Sequence, residues 1–376
     1  MGTDEINLAV LIALNILIIP LTWFILRIVI KPKTVQKPDI TDEHSSLVIN
    51  EEEKDETNTK NIRYIHEGES AGEYSKKWTS TYDLVFLILM VCFLIILSIL
   101  TSIYIPSFWT EWKFWLKQIF AFIFIMFVVF CGGLLCRHYC QIDEHGYIIT
   151  NRSSHFKVNY TKKIQHLAVH VIPLVISTHK SDHSILYNLI SLTWSYYTVL
   201  LTNLILIKPL RERSTFLMTQ FNSIDRPEDR PHTLMWVTLC NNVPTYAVTI
   251  FFRWLFNIYG FDMNAVFIFT LVNTVGDGLA EPVGIYFGKH RYKTRGCFNR
   301  TRYERSFEGS ACVFISAVFF TSIFSFTFRS YLQIWITLLI LPISMTVAEA
   351  TSPHTCDSAF IHGVGGLIIF FVLLFV

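Results

Sequence analysis

Residues 84–105, LVFLILMVCFLIILSILTSIYI, run for 22 positions without a charged side chain. A helix of about 20 apolar residues spans the hydrocarbon core of a bilayer, and the run lacks the alternation of a membrane barrel strand. It is one of several. Candidate spans fall at 7–30, 84–105, 115–136, 164–179, 184–207, 233–252, 263–287, 308–327, 330–347 and 358–376. Lipid offers backbone groups no partners, so each run must satisfy its own hydrogen bonds. The sequence predicts an all-α fold: a polytopic transmembrane helix bundle of about ten spans.

Composition agrees. Apolar residues make up 52% of the 376 and charged residues only 16%, with a mean hydropathy of +0.42; a soluble domain carries about 25% charge. A soluble enzyme, a disordered tail protein and a small disulfide scaffold are excluded. Several cysteines, such as Cys92, Cys131 and Cys312, lie inside apolar runs, where a thiol behaves as a small hydrophobe. Cys131, Cys136 and Cys140, with His138, match no standard zinc spacing. The run at 7–30 follows Asp4 and Glu5, exceeds a signal-peptide core and ends beside Arg27, Lys31 and Lys33. It reads as a retained first span.

Charge gives the orientation. Segments 31–82, 137–163, 208–232, 288–307 and 348–357 hold 8, 5, 5, 7 and no basic residues, whereas the alternate connections hold only Lys113, Lys180, Arg253 and Arg329, with Lys117 near an edge. This bias predicts that the first set is cytoplasmic and both termini are non-cytoplasmic. Four regions follow: a first transmembrane helix at 1–30, a disordered cytoplasmic linker at 31–82, two accessory spans at 83–136 and a membrane domain at 137–376 that holds the remaining spans. The linker contains eleven acidic residues and little apolar periodicity.

Ionisable groups inside or beside spans are costly unless paired or used. Asp277 and Glu281 lie four apart in an apolar run, flanked by Gly276, Gly278 and Pro282. The glycines permit a bend and close backbone approach, the proline a local release of the helix. The next segment carries Lys289, Arg291, Lys293, Arg295, Arg300, Arg302 and Arg305 against one acid, Glu304. That density suits a polyphosphate or an anionic lipid head group, and with a nucleotide, neutralising Lys289, Lys293 and Arg295 is expected to raise its Michaelis constant. Ser306 is placed to cap a helix. Glu308, two residues on, is placed to share a divalent cation with Asp277 and Glu281. Glu349 and Asp357 follow between the last two spans, on the same predicted face. Upstream, Lys163 and His166 open the fourth span, with His166 a candidate proton acceptor. Phosphate-loop and dinucleotide fingerprints are absent from the sequence, and nothing suggests a nucleic-acid surface.

Residues 273–290 (NTVGDGLAEPVGIYFGKH), 306–310 (SFEGS) and 348–358 (AEATSPHTCDS) resemble signature segments of the integral-membrane CTP-transferase superfamily. The similarity is greatest to its polyprenol-kinase branch, which includes dolichol kinase, phytol kinase and CTP-dependent diacylglycerol kinase. Residues 162–166 (KKIQH) resemble the motif that opens the family's core, so the resemblance covers roughly 160–376. It implies CTP as phosphoryl donor, Mg2+ as cofactor and a membrane lipid alcohol as acceptor. It also implies catalytic roles for Asp277, Glu308, Glu349, Asp357 and His166. Nucleotide contacts are implied for Gly276, Gly278, Lys163, Lys289, Lys293, Arg295, Arg305 and Ser306, and metal contacts for Asp277, Glu281 and Glu308. Ser358 stands where the family usually has asparagine.

The resulting expectation is a CTP-dependent lipid kinase in a multi-pass membrane setting, as a homo-oligomer or within a larger membrane complex. The endoplasmic reticulum is the first expectation, with a plastid or other organelle membrane as the alternative. A phosphatidate cytidylyltransferase and a non-catalytic structural subunit are the competing readings; a transporter would need midplane charge and an inverted repeat.

Overall fold

The computed structural model describes residues 76–150, 156–176, 185–230, 233–297, 302–353 and 356–376. The expected first span and nearly all of the linker lie outside the described residues. The rest is mostly helical. Among the described residues the strands form only two two-stranded hairpins, and there is no barrel. Among the described residues six helical segments are long and apolar enough to cross a membrane: Thr81–Tyr104, Trp112–Tyr139, Ile185–Leu206, Met263–Phe287, Tyr331–Thr351 and Asp357–Phe375. Phe307–Ile323 is apolar but shorter. The helices expected at 164–179 and 233–252 form as well, displaced and mixed with polar residues.

Helices α1 (Lys76–Tyr104) and α2 (Trp112–Tyr139) are joined by a tight turn at Pro106–Thr110, where proline starts the turn. Their outer faces stay exposed, Leu84, Ile88, Ile95 and Ile103 among them, as lipid-facing side chains should. They hold to α4 (Ile185–Thr202) by aromatic packing and polar bridges. The rings of Trp109 and Trp115 stack at 5.5 Å, and Trp194 meets both edge-on. Trp194 Nε1 donates to Thr101 Oγ1 at 3.0 Å, and Gln118 Nε2 to Ser195 Oγ at 2.8 Å. Such interhelical bonds matter where lipid cannot supply a partner. Between α2 and α4 lie a small hairpin of β1 (Gln141–Ile142) and β2 (Ile148–Thr150) and helix α3 (Val158–Ile176).

The polar stretch at 208–232 forms two short helices, α5 (Lys208–Arg211) and α6 (Thr215–Phe221), and an ion-paired turn. Asn222, Ser223 and Asp225 are fully buried. Arg230 pairs with Asp225, donates to the Ile148 carbonyl at 2.6 Å and lies over the Tyr147 ring. Partners from distant segments therefore meet the cost of burying these charges.

The second half is mostly helical and contains two π turns. One, Met235–Asn242, leads into α7 (Val243–Ile258). The other, Val272–Asp277, separates α8 (Val266–Leu271) from α9 (Gly278–Phe287). The bend expected near Gly276 is thus a wide turn before Pro282, which sits inside α9. A Cβ on Gly276 would stand 2.9 Å from Val313 Cα, so the missing side chain lets this turn touch the next helix. A hairpin of β3 (Arg291–Arg295) and β4 (Arg302–Ser306) follows, then α10 (Phe307–Ile323), α11 (Tyr331–Thr351) and α12 (Asp357–Phe375). Ser306 caps α10 by accepting from Gly309 N at 3.1 Å. At α11, Ser330 Oγ accepts from Gln333 N at 3.3 Å while Gln333 Oε1 accepts from Arg329 N at 2.8 Å, a reciprocal arrangement that sets the helix start.

Candidate functional site

One end of α3, the Val272–Asp277 turn, α9, the β3–β4 hairpin and the junction of α11 with α12 enclose a cavity of about 340 Å³. Asp277, Glu281, Glu304, Glu349 and Asp357 line it on the acidic side. Lys162, Lys163, Arg226, Arg291 and Arg305 supply an equal number of positive charges. The balance explains how so much charge is buried: each acid near the floor has a basic neighbour.

The local sequence sets the geometry. Lys163 and His166 project from the first turns of α3 on one face. Lys163 Nζ meets Asp277 Oδ2 at 2.8 Å and lies 3.9 Å from Glu281 Oε2. His166 Nε2 is 3.6 Å from the same Asp277 oxygen. Asp357 opens α12, where a carboxylate suits the helix dipole, and its Oδ1 accepts from Ser358 N at 3.0 Å. Antiparallel register puts Arg305 opposite Tyr292. Arg305 Nη1 then reaches Glu349 Oε1 at 3.2 Å. Burial works against the Arg305 charge, but the carboxylates of Glu349, Asp357, Asp277 and Glu281 outweigh it and raise its pKa. Tyr292 Oη shares a 2.6 Å hydrogen bond with Ser310 Oγ; burial raises its pKa although that bond opposes the shift.

Several sequence expectations need correction. Glu308 does not approach Asp277. Its Oε1 accepts from Lys289 N at 3.1 Å and bonds His290 Nδ1 at 2.7 Å, so it braces the start of the hairpin and does not line the cavity. The antiparallel hairpin causes this, by bringing residues 289 and 290 back beside the start of α10. Lys289, Lys293 and Arg295 are exposed and absent from the cavity wall, which the hairpin reaches through Arg291, Glu304, Arg305 and Ser306. Gly276 packs against Val313 and Ser316, and Gly278 has open space beside it; neither lines the cavity. Glu281 does line it but is engaged by Arg226 Nη1 at 3.3 Å and by Asn159 Nδ2.

The proposed metal trio of Asp277, Glu281 and Glu308 is therefore not assembled, and no group of three His, Cys, Asp or Glu side chains among the described residues forms a metal cage. A smaller set fits. Mg2+ needs only one or two carboxylates when phosphates supply other ligands. Asp277 and Asp357 line the same cavity, and the Asp357 charge acts on Asp277.

The sequence reading missed part of the wall. Arg226 clamps Asp229 through Nε at 2.8 Å and Nη2 at 3.0 Å, and Lys162 Nζ joins Asp229 at 2.8 Å. Alternating charge in 225–230 (DRPEDR) was the available signal. Trp236, Asn241 and Asn242, on the first π turn, supply an aromatic face and two amides; no local motif marks them. No family model, curated protein or solved structure matches this chain.

Proposed function

We propose that the protein is a CTP-dependent kinase that phosphorylates the hydroxyl of a membrane lipid alcohol. The observation that carries this reading is the convergence of Lys163, His166, Asp277, Arg305, Glu349 and Asp357 on one cavity at the ends of apolar helices. Phosphoryl transfer depends on positioning and charge stabilisation, and these are the side chains it uses. With ten alternating spans, the cavity opens to the cytoplasm, where nucleotide is found. Arg305, Arg291 and Lys163 take the polyphosphate, and Trp236 with Asn241 and Asn242 offers a stacking face and amide groups to a base. Asp277 and Asp357 would hold Mg2+, which when bound neutralises charge on the phosphate oxygens.

The lipid oxygen forms the new bond to the γ-phosphorus. The bond to the β–γ bridging oxygen breaks, its electron pair leaving on CDP, and His166 Nε2 takes the hydroxyl proton. Glu349 holds Arg305, and Lys163 holds Asp277, so the ion pairs keep the charged groups in place before substrates arrive.

The test is transfer from CTP labelled at either phosphorus, with protein in lipid nanodiscs, Mg2+ and a panel of lipid alcohols. γ-Label entering lipid supports the proposal. α-Label entering lipid with phosphatidate as acceptor identifies a cytidylyltransferase instead. No transfer from CTP, ATP or UTP to any acceptor overturns the enzyme reading and leaves the structural-subunit reading.

A further inference from the structure

The β3–β4 hairpin carries cations that the cavity does not use, and both of its ends are fastened to the ends of spans. At its base, between α9 and α10, Phe307 N donates to the His290 carbonyl at 2.9 Å. Just beyond β3, Cys297 N donates to the carbonyl of Thr351, the last residue of α11, at 2.9 Å. Tyr292 holds the strand down between them, its ring 4.7 Å from that of Phe307 and its Oη on Ser310. Met263–Phe287 and Tyr331–Thr351 are both long and apolar enough to cross a membrane. A strand tied at each end to the end of a span lies along the end of the bundle and does not stand off into water. The head-group layer begins where the hydrocarbon stops and is about 5–8 Å deep on each side, so the hairpin runs at its level.

Alternate residues of a strand share a face and stand about 6.6 Å apart. Lys293 and Arg295 therefore continue the face of Arg291 away from the cavity, and all three side chains are exposed. Arg291 is engaged at 3.3 Å by Glu304, the one acid between residues 288 and 307. Lys289, Lys293 and Arg295 have no acidic side-chain partner among the described residues. Beside them the last turn of α9 exposes two rings, Tyr286 at 76% and Phe287 at 60%, 4.7 Å apart. Exposed rings at the end of a span belong to the interfacial belt, and cations beside that belt meet lipid phosphates. Such a layer supplies the charge partners that the protein does not.

We infer that Lys289, Lys293 and Arg295, with Tyr286 and Phe287, form a docking surface for anionic phospholipid head groups in the leaflet that the hairpin borders. The rings sit at the hydrocarbon edge, and the ammonium and guanidinium groups meet phosphate and carboxylate oxygens, Arg295 with two parallel donors. A zwitterionic head group offers the same phosphate but brings its own cation, so the surface prefers lipids with net negative charge. The contact also bears on the cavity. Tyr292 stands opposite Arg305 in register, so lipid held on β3 steadies the strand from which Arg305 reaches Glu349. This inference rests on the bilayer setting of the helices and not on the kinase proposal.

The experiment places the full chain in nanodiscs with a trace of phosphatidylserine bearing a photoreactive group near its head, and maps the adducts by mass spectrometry. Adducts should concentrate in residues 286–297. Unlabelled phosphatidylserine should displace them, phosphatidylcholine should not, and high salt should weaken them. Lys293→Gln combined with Arg295→Gln should lower the hairpin adduct about tenfold, whereas the charge-preserving pair Lys293→Arg and Arg295→Lys should retain it. Both side chains are exposed, and an unchanged melting temperature in phosphatidylcholine discs checks that the variants fold. No adduct in 286–297, or displacement by phosphatidylcholine as effective as by phosphatidylserine, overturns the surface. An adduct that survives the neutral pair assigns capture to the rings alone and overturns the role of the cations. Phosphoryl transfer is not read here, so a failed kinase assay defeats only the kinase proposal and a failed lipid capture defeats only this one.

Discussion

Lys163 and Asp277 stand 114 residues apart in the chain and meet at 2.8 Å, both largely shielded from solvent. The pair ties α3 to the π turn at Val272–Asp277 and so fixes the floor of the cavity. Removing one partner of a buried pair strands the other charge, at a cost of about 3–5 kcal/mol. Lys163→Met should lower thermal stability by that order, and adding Asp277→Leu should recover much of the loss. A double variant no more stable than the Lys163 single variant would show that the pair does not govern this junction.

Asp277→Asn keeps the size of the side chain and one acceptor oxygen. The protein should insert and fold, and phosphoryl transfer should fall by about 10³-fold or more, the scale of losing a group that stabilises transition-state charge. Retained activity in the labelled-CTP assay would remove Asp277 from the mechanism.

The hairpin separates two sets of cations. Arg305→Gln leaves Glu349 without its partner in a buried position and should raise KM for nucleotide about tenfold, the scale of one charge-assisted hydrogen bond. The combined Lys293→Gln and Arg295→Gln variant should leave that constant within about twofold, because neither side chain reaches the cavity wall. The reverse order in steady-state kinetics would contradict the cavity assignment.

Gly276 and Gly278 differ in their surroundings. An added Cβ at 276 stands 2.9 Å from Val313 Cα and 3.2 Å from Ser316 Cβ, whereas none of the neighbouring atoms lies within 4 Å at 278. Gly276→Ala should destabilise by about 1–3 kcal/mol. Gly278→Ala should be neutral or stabilising by up to about 1 kcal/mol, because helical alanine loses less chain entropy. Thermal unfolding of the two variants should rank them in that order.

Tyr147 gives a pH signature. Burial pushes its phenol up from 10.0 to about 12, with Arg211 opposing and Glu212 reinforcing the shift. The folded state favours the protonated phenol, so this contribution is complete below pH 10 and is lost as pH rises toward 12. Native melting temperature should fall across that window, and Tyr147→Phe should flatten the fall. An unchanged slope in the variant would assign alkaline unfolding to other groups.

The helical character was legible because apolar runs need only local counting. The helices Tyr331–Thr351 and Asp357–Phe375 lie where the runs at 330–347 and 358–376 placed them. The segment 208–232 was less legible. Asp225 and Arg230 look solvated in sequence and are buried as a pair, Arg230 donating also to the Ile148 carbonyl and Asp225 accepting also from Thr233 Oγ1. The same limit explains Glu308: its partner His290 is reached through a strand reversal that a motif does not encode. Arg226 and Trp236 reach the cavity from segments that were read as a polar connection and as a plain span. The π turn at Val272–Asp277 has no periodicity signal of its own, since one extra residue leaves the apolar run intact.

That surplus residue has an evolutionary consequence. An α-helix advances 100° per residue, so deleting one position within Val272–Asp277 would rewind the segment to ordinary helix and swing the preceding side chains through about a quarter of a turn. The membrane span would survive the deletion, while the hydrogen bond between the His166 ring and the Asn273 backbone would be lost. A lineage can therefore rearrange this cavity by a three-nucleotide change and still keep an intact helix bundle.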